Sequence, residues 1–381
     1  MADTQPEPAF RLQLAPELDG LYLDVPVDAV ASLCRYPVKY LRFLAYCILG
    51  VNGTIATEDF EGEVLPDKDR LGEGVYYFVR EGGGDVLEHA VDPEALTYSH
   101  VSETTNTRHG FRTLVAERDV ACVFTNVNEE SCEGIHIVPF SKGDAWMKQI
   151  VESRIPEEKE DVSNLTTIND IRNGMLVSKI LHPLIDNKKL VVLKTPNRVL
   201  ACDDIPPRSN NSTDLLGDVK YSTNPRYTLQ WLMGTEHQKR DVSPRQDAAF
   251  KKDSKNPKPS PLLLNYSYGV AALKWWGKGP DYLLTARKRP APLGPIRSKH
   301  DRSVTTAKPA DARNLAGLQG GSAGNREVED IDERRQSEAE RLVLTLYANT
   351  PAARGRRAKR QAERKDRMAA WQDGVRMTSE T

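Results

Sequence analysis

A chain of 381 residues is long enough for two domains, yet 39% hydrophobic and 7% aromatic content with 24 prolines cannot carry all of it into a core. Five cysteines, odd in number and without a CxxC pair, exclude a zinc knuckle or a disulfide framework and point to reduced thiols inside the cell. The net charge of −1 hides an asymmetry: residues 1–150 hold 25 acidic and 12 basic side chains, so the rest of the chain is basic and able to meet phosphates.

Residues 1–9 are acidic and proline-rich, the reverse of a secretory signal, and are expected to be disordered. Residues 10–105 read as an acidic α+β module. Val25–Val30 looks like an entry to a helix or strand, the stretch from Tyr36 like an amphipathic segment, and Gly74–Arg80 like a strand. The longest apolar run, Phe43–Val51, is too short to span a bilayer. The acidic cluster Glu58, Asp59, Glu61, Glu63, Asp67 and Asp69 lacks the spacing of a calcium loop and reads as a solvated loop.

Residues 106–202 hold the informative stretch. Val120–Thr125 is apolar and β-rich, and Ile135–Val138 is extended and stopped by Pro139. Residues 144–153 carry a helical pattern with Asp144 as the expected cap, and Leu190–Lys194 continues as a strand. Cys122 and Cys132 are expected to be small buried hydrophobes rather than ligands. Residues 203–286 read as linkers, loop-like over 203–216 and 237–261, with docked apolar segments. One of these segments is Leu262–Trp276, whose Trp275 and Trp276 suit a core helix better than base stacking. Residues 287–326 are expected to be disordered. Residues 327–381 are expected to be a charged helical tail whose cluster Arg354, Arg356, Arg357, Lys359 and Arg360 suits phosphate binding and favours the nucleus over the cytoplasm.

Hydrolysing a phosphodiester requires a base for water, a counter-charge for phosphorus and support for the leaving oxygen. A neutral histidine at a strand end can be that base, because imidazole titrates near neutrality. His136 occupies such a position, and an asparagine carboxamide such as Asn173 can fix an imidazole's orientation. Asn173 precedes His182 by nine residues. His182 and Asp186, four apart, share a face of any helix and are a candidate metal pair. Ser178 is the expected N-cap of that helix, and a start at or after it would keep Pro183 within the first turn.

The order His136, Asn173, His182 resembles the HNH (ββα-metal) endonucleases. The surrounding words Arg118-Asp119, Cys122-Val-Phe-Thr125, His136-Ile-Val-Pro-Phe140, Arg172-Asn-Gly-Met-Leu176 and His182-Pro-Leu-Ile-Asp186 resemble the branch of that family common in uncharacterised fungal proteins. The resemblance covers roughly residues 118–195. It implies an α+β fold with a ββα-metal core and a divalent-metal-dependent endonuclease acting on DNA, with RNA as the alternative substrate and Mg²⁺ or Mn²⁺ as cofactor. It further implies His136 as general base, Asn173 as its orienting group and His182 as a metal ligand. Many members carry a second ligand directly before the first histidine. Here that position is Ile135, so Glu133, on the same strand face, and Asp186 are the candidate replacements. That departure also motivates a rival reading: a decayed HNH fold serving as a nucleic-acid or protein-interaction module.

Overall fold

The computed structural model describes residues 8–18, 20–83, 85–96, 106–210, 215–252, 254–279 and 283, with backbone alone for 106–109. Alternation in β1 (Ala9–Gln13) buries Phe10 and Leu12 and leaves Arg11 outside; it begins one residue inside the stretch expected to be disordered. β2 (Tyr22–Pro26) pairs antiparallel with it and runs straight into α1 (Val27–Leu33). α2 (Pro37–Leu49) starts on a proline, whose missing N–H costs nothing there. It ends on Gly50 in the left-handed conformation, φ 73°, where a side chain would run into His89. β3 (Gly53–Ala56) and β4 (Gly74–Arg80) extend the sheet, β4 parallel to β1 and antiparallel to β3.

α3 (Asn106–Asp119) packs against the antiparallel pair β5 (Cys132–His136) and β6 (Gly174–Ser178), whose long connection contains α4 (Gly143–Ser153). α5 (His182–Asp186) follows β6 after a three-residue turn. β7 (Leu190–Thr195), β8 (Val219–Tyr221), β9 (Arg226–Trp231), α6 (Glu236–Asp241) and β10 (Ala249–Lys251) come next, as two antiparallel pairs, β7 with β9 and β8 with β10. α7 (Pro261–Trp276) and β11 (Gly277–Lys278) close the described chain apart from residue 283.

Two sequence expectations about caps are corrected. Asp144 does not cap α4; its carboxylate instead accepts the backbone N–H of Ile168 at 2.7 Å, tying the helix to the loop before Asn173. Ser178 does not cap α5, because it ends β6; the helix begins at His182, which leaves Pro183 in the first turn where it is tolerated. Within the segments expected to be loops, residues 237–241 finish α6 and residues 249–251 form β10.

α2 is buried on nearly every side rather than amphipathic, because α7 lies against it. Gly269 makes this approach possible: a Cβ there would strike the Cys47 backbone. Tyr40 donates to Tyr268 at 2.7 Å, Tyr268 to the Gln230 amide oxygen at 2.6 Å, and Gln230 to the Leu33 carbonyl at 3.1 Å, a buried chain through α1, α2, α7 and β9. The sheet order is β11-β2-β1-β4-β3, so one edge of the N-terminal sheet comes from residues 277–278. The acidic segment 10–105 therefore does not close on itself, and the described residues fall in one compact unit. The regions 287–326 and 327–381, with Arg354, Arg356, Arg357, Lys359 and Arg360, lie outside the described residues.

Candidate active site

Arg118 and Asp119 end α3 fully buried and hydrogen-bonded to each other, Nε to Oδ1 at 2.6 Å. The guanidinium also donates to the carbonyls of Ile171, Gly174 and Pro257, while the Asp119 carboxylate accepts from the Leu176 N–H. The ion pair thus fixes the turn that carries Asn173 and the first residues of β6. Asn173 is itself buried, and its side chain spends all its bonding on backbone. Its oxygen accepts from Val138 N at 2.8 Å, and its amide donates to the carbonyls of Val138 and Ile168. It holds the chain just beyond His136 in place rather than touching the His136 ring.

The ring's partners were not singled out by sequence reasoning. His136 Nε2 lies 3.0 Å from the Asn169 side-chain oxygen, and the imidazole stacks on Phe111 of α3, centroids 3.9 Å apart at 11°. Phe140 tilts against it at 5.6 Å. Since an amide oxygen only accepts, Nε2 is the donor in this contact. Gly174, opposite His136 in the ladder, makes the stack possible: a Cβ there would collide with the Phe111 ring. No local pattern marks Asn169 or Phe111, because one sits in an irregular loop and the other reaches the site only through helix packing.

Glu133 and Ile135 point to the other face of β5. Ile135 is buried in the core. Glu133 meets His182 Nδ1 through a carboxylate oxygen, while His182 Nε2 lies 3.0 Å from Asp186 Oδ2. The hydrogen bond that His182 donates to Asp186, followed by the one it donates to Glu133, pushes the imidazole up to about 9, which favours an imidazolium between two partly exposed carboxylates. The structure therefore groups Glu133, His182 and Asp186, places Asn173 at the junction of β5 and β6, and turns His136 toward α3 on the face opposite Glu133.

One imidazole nitrogen with carboxylate oxygens is a donor set that suits a divalent cation. As arranged, each ring nitrogen faces a different carboxylate, so His182 could hold a cation only after losing its proton and one of those contacts. Among the described residues no group of three His, Cys, Asp or Glu side chains is placed to hold a metal ion. Cys122 and Cys132 are buried; Cys132 donates to the Val127 and Asn128 carbonyls at 3.4 and 3.3 Å, as small core residues do. Among the described residues no helix is long and apolar enough to cross a membrane.

Residues 122–193, about a fifth of the chain, match the family model of the HNH endonucleases. No curated protein and no solved structure matches the chain.

Proposed function

We propose, from the match of residues 122–193 to the HNH endonuclease family model, that this protein is a divalent-metal-dependent endonuclease hydrolysing phosphodiesters in DNA. The observation that carries the proposal is the pairing of the family match with the state of His136. Its Nε2 faces the Asn169 oxygen and its ring is fixed by the Phe111 stack, which holds the imidazole in one orientation at the end of β5.

In this reading His136 removes the proton from the attacking water. Asn169 fixes the tautomer, and Asn173 acts one step further out by holding residues 137–138, the backbone directly after the base. Divalent metals are typical of HNH nucleases, and a bound cation would offset the charge that builds on phosphorus. Glu133, His182 and Asp186 are the proposed ligands; to serve as one, His182 must give up a carboxylate partner and its proton. The basic cluster Arg354–Arg360 is proposed to grip phosphates and to direct the chain to the nucleus.

The test is incubation of the full chain with supercoiled plasmid and, separately, single-stranded RNA, in Mg²⁺, Mn²⁺ or chelator. Cleavage of plasmid in metal and its absence in chelator is the expected result. Retarded but intact nucleic acid in every condition would instead establish the second reading, a non-catalytic binding module on an HNH fold. The occupied nitrogens of His182 are the observation that favours it.

A further inference from the structure

Over much of the described surface, cations answer carboxylates, as Arg11 does Asp24, Arg42 does Asp67, Arg80 does Glu17 and Arg112 does Glu129. The ribbon formed by β8 and β10 differs. Residues 249–260 carry four lysines, Lys251, Lys252, Lys255 and Lys258, against the single acid Asp253. β8 adds Lys220, directly opposite Phe250 in the ladder.

Lys220, Lys251, Lys252 and Lys255 are exposed, and among the described residues none of the five lysines forms an ion pair. Asp218, beside β8, meets Lys252 through backbone: its carbonyl accepts the Lys252 N–H at 2.8 Å. Lys258 is half-buried, with its ammonium 5.3 Å over the Phe250 ring. Burial, followed by repulsion from Lys220, holds the Lys258 ammonium below the ordinary lysine range. Like charges gathered this way raise a positive potential that draws in a polyanion.

The ribbon is also fixed to the segment that carries the candidate site. The Ala249 N–H donates to the Val123 carbonyl at 2.7 Å, and the Ser260 N–H donates to the Arg172 carbonyl at 2.9 Å. The Pro257 carbonyl accepts from Arg118 at 3.1 Å. β10 packs against α3, the helix that His136 faces.

We propose that the β8–β10 ribbon, with its loop over residues 251–258, is the docking surface for the phosphate backbone of a nucleic-acid duplex. Lysines are flexible point charges, so the contact grips backbone without reading base sequence. The choice of nucleic acid over an anionic lipid surface rests on the HNH reading of residues 122–193, to which the ribbon is hydrogen-bonded.

Fluorescence anisotropy of the full-length protein with a labelled DNA duplex, in chelator and over a series of salt concentrations, tests the surface. No metal-dependent cleavage runs in chelator, so binding alone is read. Lys251→Gln, Lys252→Gln and Lys255→Gln combined should weaken binding roughly tenfold or more. They should also lower the slope of log affinity against log salt by about two to three, the loss of that many phosphate contacts. Lys68→Gln, Lys148→Gln and Lys159→Gln combined remove the same charge from exposed positions outside the ribbon and should leave both quantities near wild type. Ribbon-dependent binding by a chain that never cuts plasmid would keep this surface and remove only the nuclease reading. Equal weakening in the two triple variants, or a ribbon variant that binds duplex like wild type, overturns the proposal. So does a ribbon variant that loses phosphatidylserine vesicles while keeping duplex.

Discussion

At the scale of single residues, the site depends on side chains bonded to backbone more than to one another. Asn173 satisfies three backbone groups from a fully buried position, so Asn173→Ala would strand the N–H and carbonyl of Val138 and the carbonyl of Ile168. Each buried group left unpaired costs about 1–3 kcal/mol, and a total loss of about 3 kcal/mol in chemical denaturation is expected. His182 behaves differently. Its folded pKa of about 9 lies above the ordinary 6.5, so the protonated form is the stabilised one. Its contribution is complete below about pH 6.5 and disappears as pH rises through about 9. Glu133 and Asp186 are each more than a third exposed, which limits the effect to on the order of 1 kcal/mol. Denaturation midpoints measured from pH 6 to 9.5 should therefore fall more in wild type than in His182→Gln, and parallel curves would remove the Glu133–His182–Asp186 clamp from the account.

At the scale of elements, α3 organises the region by what its end carries. Arg118 and Asp119 join the helix to the 171–174 turn, β6 and the 257 loop with no exposed atoms to spare. Removing one partner leaves the other charge buried, so Arg118→Met should destabilise the fold by about 3–5 kcal/mol in urea titration. A loss under about 1 kcal/mol would mean that Asp119 is satisfied by backbone alone. This is also where the sequence was only partly readable. The Arg118-Asp119 words stood out as motif, but their role as a buried clamp depends on contacts up to 139 residues away. Strand β4 was legible from composition, as was the apolar run now seen as α7. The burial of α2 on all sides was not, since it requires knowing that α7 returns to cover it. Ser178 and Asp144 had the right chemistry for caps but were claimed by a strand and by a loop N–H.

At the scale of the molecule, the N-terminal sheet takes an edge strand from residues 277–278, and α7 packs on α2, so the matched segment 122–193 is built into a larger body. The sequence identified His136, Asn173 and His182 through their spacing. It could not show that β5 turns His136 toward α3 and Glu133 away from it, because the facing of alternate strand residues appears only once the strand's neighbours are known. The central claim is that His136, locked by Asn169 and Phe111, is the base of a hydrolytic site. The most direct measurement is the rate at which His136→Ala nicks supercoiled plasmid in Mn²⁺, set beside wild type at equal folded concentration. A fall of about a hundredfold or more is expected; equal rates for the two proteins would rule His136 out as the base.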